Sequence, residues 1–322
     1  MNDIIGPHSR IYVAGHRGMV GSALVRCLRA KGYANLLTRT RQELDLTNQA
    51  AVHRFMEEAE PDYVFLAAAK VGGILANSTY RGEFIYQNLI IEANIMHAAL
   101  SAGVKRLLFL GSSCIYPRVC PQPIKEDYLL TGPFERTNEP YAIAKVAGVK
   151  MCEAFNAQYG TRYVSVMPTN LYGPNDNFDL DTSHALPALL HKAHVAKRSG
   201  AGALVVWGSG KPRRDFLHVD DLASACTLLM EKDAGNGVYN IGTGTDMTVR
   251  EIAETVMGVV GFSGRLVFDA GKPDGTMRKV LDISRMRELG WQPRHSLEEG
   301  VRLTYQWCLD NHVFEHAEAA YR

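Results

Sequence analysis

Short apolar runs alternate with longer amphipathic segments through the first half of this chain. The runs are predicted strands, and in chain order they are Ile11–Ala14, Asn35–Thr38, Tyr63–Ala68, Arg106–Leu110 and Tyr163–Met167. Most of them are apolar throughout, so both faces must be covered, as in a parallel sheet whose strands are connected by helices. The pattern therefore predicts an α/β fold with a Rossmann-type, doubly wound parallel sheet.

After Pro168 the composition of the sequence changes. Residues 172–183 are polar and rich in turn formers, and shorter predicted strands and helices follow them. We predict a Rossmann domain over residues 1–170, to which parts of 215–245 return. A smaller α/β lobe is predicted over 171–322.

Composition excludes several classes of function. The 322 residues include 35 Lys and Arg against 34 Asp and Glu, a net charge of +1, which is too even for coating nucleic acid or a membrane surface. The six cysteines form no C-x-x-C pair, so neither a metal site nor a disulfide scaffold is predicted. No apolar run reaches the roughly 18 residues of a membrane helix, and the start of the chain is unlike a signal peptide. We expect a cytoplasmic protein without nucleic-acid or membrane partners.

A glycine motif lies in the first strand-to-helix turn. Gly15, Gly18 and Gly21 form a G-x-x-G-x-x-G pattern, with Arg17, Met19 and Val20 between them. Such glycines permit a tight turn, close approach of a diphosphate and close packing of the helix on the strand. At this position the motif predicts dinucleotide binding.

The end of the second predicted strand indicates which dinucleotide is bound. An NAD site usually has an acidic residue there, but this chain has Thr-Arg-Thr-Arg over residues 38–41 and no acid before Glu43. Arg17 and Arg41 suit a ribose 2′-phosphate, which favours NADP. The alternative is that both arginines are solvated loop residues. Asp45 and Leu46 are predicted to contact the adenine.

Tyr141 and Lys145 are four residues apart on a predicted helix and therefore share a face. A lysine beside a phenol favours the phenolate, and such a tyrosine exchanges a proton with a carbonyl or alcohol. Alone, the pair could equally be an ordinary surface pair. Ser112, however, ends a predicted strand at the sheet edge where ligands bind in α/β folds.

Six segments together resemble the extended short-chain dehydrogenase/reductase superfamily, and within it a group of GDP-sugar epimerase/reductases. These segments are GHRGMVG (15–21), AAAKVGG (67–73), GSSCIYP (111–117), NEPYAIAK (138–145), PTNLYGP (168–174) and DFLHVDD (215–221). The resemblance implies that GDP-4-keto-6-deoxymannose is epimerised at C3 and C5 and then reduced at C4 with NADPH.

The resemblance also implies roles for five residues. Ser112 would orient the carbonyl, Tyr141 would donate a proton, and Lys145 would lower the pKa of Tyr141. Cys114 would be the base of epimerisation and His184, in HALPALL (184–190), the acid. Related 4,6-dehydratases carry an acid where this chain has Cys114. From the residues alone, Cys114 is as well explained as a buried apolar residue, and His184 as an ordinary histidine.

Further contacts follow from the same resemblance. Cofactor-binding residues outside the glycine turn are expected at Leu110, Gly111, Ser112, Ser113, Tyr141, Lys145, Pro168, Thr169, Asn170, Leu171 and His184. Substrate-binding residues are expected at Asn170, Lys192, Trp207, Arg214 and Asp274. Arginine suits a diphosphate and tryptophan suits a base or sugar, although the basic run at 211–214 could instead be solvated.

Two other functions remain open from the sequence. One is an NAD-retaining nucleotide-hexose 4-epimerase. The other is a non-catalytic NADP sensor, although such proteins typically lack the tyrosine or the lysine that this chain has. As in relatives, the helices predicted over Phe84–Ala102 and Pro140–Tyr159 are expected to form the interface of a homodimer.

Overall fold

The computed structural model describes residues 5–180, 182–232, 234–272 and 274–315. Its strands, in chain order, are β1 (Ile11–Ala14), β2 (Leu36–Leu37), β3 (Tyr63–Leu66), β4 (Arg106–Leu110), β5 (Tyr163–Pro168), β6 (Asn170–Tyr172), β7 (Ala203–Trp207), β8 (Arg213–Arg214), β9 (Phe216–His218), β10 (Val238–Ile241), β11 (Met247–Thr248), β12 (Arg265–Asp269) and β13 (Arg278–Lys279).

The α-helices, likewise in chain order, are α1 (Met19–Ala30), α2 (Gln49–Ala59), α3 (Ile74–Thr79), α4 (Arg81–Ser101), α5 (Glu139–Tyr159), α6 (Ala185–Ser199), α7 (Val219–Glu231), α8 (Val249–Val260), α9 (Ser284–Glu288) and α10 (Leu297–Asp310). None of these helices is long and apolar enough to cross a membrane.

Six parallel strands form the main sheet, in the order β10-β5-β4-β3-β1-β2. From β1 the chain passes to β2 on one side and then crosses back to β3 on the other. Such a reversal opens a crevice at the carboxyl ends of the two central strands, where α/β proteins bind ligands. The predicted doubly wound parallel sheet is confirmed, and the glycine turn lies at this crevice.

Two apolar layers enclose the main sheet. On one face, α1 and α7 contribute residues such as Leu24 and Leu222 to a buried cluster. On the other face, α2, α4 and α5 contribute Val52, Met96 and Val149. Burial of both faces explains why the strands are apolar throughout.

A third apolar cluster lies outside the main sheet. Its residues come from α6, α8 and α10 and from the parallel pair β7–β12, with Leu190, Val256 and Val301 fully buried. The chain does not stay in this region. β10 pairs with β5 at the edge of the main sheet, and α7 belongs to the cluster around α1. The chain therefore crosses between the two regions more than once.

Candidate active site

The three glycines of the first turn have different structural needs. Gly15 has a positive φ of 83°, and a Cβ there would lie 2.8 Å from Ala68 Cα. A Cβ on Gly21 would lie 2.1 Å from the Gly15 carbonyl oxygen. At Gly18, by contrast, the nearest atom would be 3.5 Å away, which is an ordinary contact. Packing within the protein explains Gly15 and Gly21, whereas Gly18 is open on the side from which a ligand would approach.

The N-terminus of α1 directly follows Gly18. No side chain caps this end, and no acidic residue occupies the first turn. The first N–H groups of a helix lack partners within the helix and carry partial positive charge, which suits a phosphate. Met19, Val20 and Gly21 provide these groups, so the turn and helix fit the diphosphate of a dinucleotide.

Two arginines flank the crevice beside this turn. Arg17 and Arg39 are both exposed, and both act electrostatically on Glu43. Hydrogen bonds from Thr40, followed by these two arginines, lower the pKa of Glu43. The first acid after β2 is thus engaged within its own loop. The arginines that act on this acid supply positive charge beside the glycine turn.

Arg41 and Asp45 lie in the same loop. Asp45 Oδ1 accepts hydrogen bonds from Thr47 N at 3.0 Å and Thr47 Oγ1 at 2.8 Å. These bonds, with a smaller contribution from Arg41, lower the pKa of Asp45. The carbonyl of Leu46 accepts from Asn94 Nδ2 at 2.9 Å, which anchors the loop to α4. Arg39 was not among the predicted contacts. It acts electrostatically on Glu43, as Arg17 does, whereas Arg41 acts on Asp45.

Ser112 and Tyr141 meet at the carboxyl end of β4. Ser112 begins a single 3₁₀ turn and accepts a hydrogen bond from Cys114 N at 3.2 Å. The side chain of Ser112 also lies close enough to the Tyr141 hydroxyl to act on it. Burial raises the pKa of Tyr141, the charges of Cys114 and Glu92 raise it further, and Ser112 opposes them. The phenol is therefore held in its protonated form.

Lys145 lies beneath Tyr141 and is fully buried. Its Nζ is 5.9 Å from the centre of the Tyr141 ring and donates to the Leu110 carbonyl at 2.9 Å. The same Nζ lies 2.9 Å from Glu92 Oε1, and both side chains are only 2% exposed. Sequence reasoning missed Glu92, because a single acid in an apolar helix is usually a solvent-facing residue.

Cys114 is half-buried and has an unexpected neighbour. Lys279, from β13, places its Nζ 3.9 Å from Cys114 Sγ. Lys279 was not predicted, and nothing in the spacing of the sequence connects the two residues. The thiol that resemblance identified as a base thus lies beside a cation and one turn from Ser112.

His184 directly precedes α6 and lies at the rim of the cleft. Its side chain reaches solvent, but the surrounding walls desolvate it enough to lower its pKa. The preceding loop packs on the loop after β3, where Gly73 N donates to the Thr182 carbonyl at 3.1 Å. Within the described residues, no hydrogen bond or ion pair joins His184 to Ser112, Cys114, Tyr141 or Lys145.

The ends of β4 and β5 lie side by side in this cleft. Gly111 N donates to the Val166 carbonyl at 2.9 Å, and Thr169 N donates to Ile241. The Thr169 hydroxyl and the Asn170 amide both donate to the carbonyl of buried Asp215, at 3.0 and 2.9 Å. The residues predicted at 110–113 and 168–171 therefore occupy one continuous sheet edge beside Tyr141.

Residues 11–242 match the model of the NAD dependent epimerase/dehydratase family. The chain belongs to this family. Its match spans all six strands of the main sheet and includes Ser112, Tyr141 and Lys145.

Individual relatives cover almost the whole chain. A GDP-L-fucose synthase of Escherichia coli is 55% identical over 313 residues, covering 94% of this chain and 97% of its own length. A putative GDP-L-fucose synthase of Arabidopsis thaliana is 56% identical over 305 residues, covering 95% and 93%. Among solved structures, a GDP-mannoheptose C4 reductase from Campylobacter jejuni with NADP bound is 40% identical, with a TM-score of 0.86 over 94% of this chain and 99% of that one.

Trp207, at the end of β7 and within the matched residues 11–242, belongs to a second region, which is a candidate for nucleotide binding. The ring is 62% exposed, with Lys192 Nζ 5.2 Å and Lys272 Nζ 5.1 Å from its centre. A cavity of about 330 Å³ lies beside it between α6 and β7, lined by Leu180, Val195 and Leu204 among others. Partial burial lowers the pKa of Lys192. An aromatic ring and two cations suit a nucleotide base or phosphate.

Arg213 and Arg214 are adjacent in β8 but differ in charge environment. Arg213 Nε lies 2.7 Å from Asp246 Oδ1, so its charge is neutralised. Arg214 forms no ion pair with any carboxylate of the described residues, and burial lowers its pKa. Of the two, Arg214 is the cation available to an anionic ligand.

Asp274 holds the loop after Trp207. Its Oδ1 accepts from Ser209 N at 2.6 Å and its Oδ2 from Ser209 Oγ at 2.8 Å. Both oxygens of Asp274 thus have partners within the protein, which fixes the position of Trp207. No group of three or more His, Cys, Asp or Glu in the described residues is arranged to hold a metal ion.

Proposed function

We propose that this protein is a GDP-L-fucose synthase, converting GDP-4-keto-6-deoxymannose into GDP-L-fucose by 3,5-epimerisation and NADPH-dependent reduction. The observation that carries the proposal is the juxtaposition of two kinds of group. Ser112, Tyr141 and Lys145 form a reducing constellation, and the Cys114–Lys279 pair stands beside it. High identity to GDP-L-fucose synthases over nearly the full chain supports the same assignment.

Epimerisation needs a base that removes protons from the carbons beside the C4 ketone. Cys114 is the proposed base, because an adjacent ammonium such as that of Lys279 favours the thiolate. Ser112 and Tyr141 donate hydrogen bonds to the C4 oxygen and stabilise the enolate while each proton is absent. His184 is proposed to return a proton to the opposite face. Desolvation lowers the pKa of His184, so the imidazole gives up a proton readily once it carries one.

Reduction uses the groups around Tyr141. Gly15, Gly18 and the first turn of α1 hold the diphosphate of NADPH, and Arg17 pairs with its 2′-phosphate. Bound NADPH supplies the hydride that reduces the ketone. Tyr141 donates a proton to the C4 oxygen, Ser112 orients that oxygen, and Lys145 stabilises the phenolate that remains.

The nucleotide part of the substrate would lie against the second region. Arg214 is proposed to contact the diphosphate, since its neighbour Arg213 is already paired. Lys192 and Trp207 are proposed to bind the GDP beside the cavity at α6. Asp274 keeps the Trp207 loop in place, and Asn170 contacts the sugar beside the nicotinamide.

Assembly and location are also part of the proposal. The α4–α5 face exposes apolar side chains, Tyr86 at 63%, Ile143 at 42% and Tyr159 at 53%, which suits the interface of a homodimer. The free thiol of Cys114 requires a reducing compartment, as in the cytoplasm.

The deciding experiment is incubation with synthetic GDP-4-keto-6-deoxymannose and NADPH. The proposal expects stoichiometric oxidation of NADPH and formation of GDP-L-fucose. A nucleotide-hexose 4-epimerase that retains NAD would consume no NADPH, and a regulatory NADP-binding protein would convert nothing. A protein that reduces C4 without inverting C3 and C5 would show that the epimerase half of the proposal is wrong.

A further inference from the structure

Glu92 is a buried carboxylate in the middle of α4, which packs against α5. Its side chain is 2% exposed, and Oε1 lies 2.9 Å from Lys145 Nζ. Among the described residues Oε2 has no hydrogen-bond partner. Desolvating a carboxylate is costly, and an apolar residue would serve a helix contact at lower cost. Helix packing alone therefore does not account for Glu92.

The opposing helix makes room for this carboxylate. Gly148 lies three residues after Lys145 in α5, on the same face. A Cβ there would come within 2.8 Å of Glu92 Oε2 and 2.4 Å of Phe109 Cζ. Glycine in a helix interior lowers helix stability. The absence of a side chain at Gly148 thus leaves the space in which the Glu92 carboxylate lies.

Among the described residues, Glu92 is the only carboxylate that forms an ion pair with Lys145. Its remaining contacts are the Leu110 carbonyl at 2.9 Å and the face of the Phe109 ring at 4.7 Å. These contacts orient an ammonium but do not neutralise it. A buried ammonium without an opposite charge loses its proton more readily.

We propose that Glu92 is a positioning residue of the reduction site, the fixed counter-ion that holds the ammonium of Lys145 charged and aligned beneath Tyr141. Glu92 touches neither substrate nor cofactor and acts only through Lys145. The proposal rests on the proposed function, because it assigns Lys145 and Tyr141 to the reduction of the C4 ketone.

Among the described residues, few charged or titratable groups lie around the Glu92–Lys145 pair. Lys145 faces Glu92 from α4 and Tyr141 on its own helix. Tyr141 is in addition under the influence of Cys114, and the charge of Glu92 extends to Cys152. Burial raises the pKa of Glu92, and the ammonium of Lys145 opposes that rise. Among the described residues, Lys145 is the only ion-pair partner of Glu92, so removing the charge of Glu92 acts on Lys145 at the shortest distance.

The test compares Glu92→Gln with the wild-type enzyme in steady-state reduction across a range of pH. We expect kcat at neutral pH to fall about tenfold, with KM for the keto-sugar within about twofold. The alkaline limb of the kcat profile should move to lower pH, because the ammonium of Lys145 has lost its counter-charge. Superimposable pH profiles at equal kcat would overturn the proposal.

Two further variants separate charge from structure. Glu92→Asp keeps the charge, so its alkaline limb should stay at the wild-type position even if kcat falls. Glu126→Gln is the matched control, because Glu126 is also buried, accepts from Asn240 N at 2.9 Å and lies 3.5 Å from Arg285. Its stability should fall while the pH profile stays in place. If Glu126→Gln moves the profile as far as Glu92→Gln does, the role of Glu92 is merely structural.

Two outcomes need separate readouts. If Glu92→Gln does not fold, Gly148→Ala, which crowds the carboxylate, should still move the alkaline limb of the kcat profile. An unchanged limb in that variant would count against the proposal.

If the wild-type protein does not oxidise NADPH with the keto-sugar, the proposed function fails by itself. Glu92 is then tested by a double-mutant cycle in thermal unfolding, in which the destabilisation caused by Glu92→Gln should shrink when Lys145→Met removes the ammonium as well. Additive effects of the two substitutions would refute the pairing.

Discussion

The Nζ atom of Lys279 lies 3.9 Å from the Sγ atom of Cys114, although 165 positions separate the two residues in the chain. A cysteine removes a proton only as the thiolate, and a neighbouring ammonium favours that form. The contact thus brings β13 against the loop after β4.

Replacing Cys114 with serine should remove the base and leave the cofactor site intact. Exchange of substrate protons at C3 and C5 with deuterated solvent should slow by about 100-fold or more, because a serine hydroxyl is a far weaker base near neutral pH. Mass spectrometry of the keto-sugar measures this exchange, and NADPH fluorescence reports binding, which should be unchanged. Exchange at the wild-type rate would show that another group is the base.

Lys279→Met tests the cation beside that base. Deuterium exchange should slow about tenfold at neutral pH, because the proposed base loses the ammonium that lies 3.9 Å from its sulfur. Lys150→Met is the matched control, since Lys150 is an exposed lysine paired with Glu153. An equal effect in both variants would mean that general charge, not this contact, is responsible.

Substitutions in the glycine turn should separate effects on NADPH binding from effects on the free energy of unfolding. Gly21→Ala places a Cβ 2.1 Å from the Gly15 carbonyl and should lower the free energy of unfolding by about 2 kcal/mol or more. Gly18→Ala has 3.5 Å of clearance within the protein, so it should unfold within about 1 kcal/mol of wild type. It should nevertheless bind NADPH about tenfold more weakly, because the added methyl group faces the diphosphate. Urea titration and fluorescence titration measure the two effects.

Arg17→Ala tests cofactor choice. Loss of a charge-assisted contact to the 2′-phosphate should raise the Kd of NADPH about tenfold and leave that of NADH nearly unchanged. Arg29→Ala, at the exposed far end of α1, serves as the control. Equal weakening of both cofactors would place Arg17 at the diphosphate instead.

The carboxyl group of Asp176 should make the free energy of unfolding depend on pH. Burial raises its pKa to about 7, and Oδ2 has no hydrogen-bond partner among the described residues. Because the folded-state pKa lies above the unfolded value of 3.8, stability is lost as the pH rises through that window. Asp176→Asn should therefore stabilise the protein by about 1 kcal/mol more at about pH 8 than at about pH 5. Thermal unfolding at both pH values, with exposed Glu58→Gln as control, checks the difference.

Much of the main sheet could be predicted because its strands are buried on both faces. β1 and β4 begin and end where the predicted apolar runs do. Elements without such a signal were missed. α3 is six residues long and includes Asn77, Ser78 and Thr79, and β12 begins with an exposed arginine. The helices α4 and α5 begin earlier than predicted, at Arg81 and Glu139, because charged first-turn residues do not appear in an apolar pattern.

The residues of the candidate site likewise divide into those that the sequence suggested and those that only the structure revealed. Tyr141 and Lys145 share one helix, and Ser112 follows the end of β4, so their positions in the sequence together suggested their association. Glu92 and Lys279 could not be found by spacing, because each reaches its partner only through packing between elements distant in the chain. The preference for Arg214 over Arg213 acquires its physical reason only from the Asp246 contact.

The pairing of β10 with β5 also limits how this protein can be recombined. A chimera made by one crossover near residue 170 would exchange β10 together with the nucleotide-sugar region. The edge of the main sheet would then depend on a foreign strand matching β5, whose residues are all buried. A mismatched strand would leave that apolar edge open to pairing with other chains. Transfer of substrate specificity between relatives therefore requires at least two junctions, one on each side of the segment that returns to the sheet.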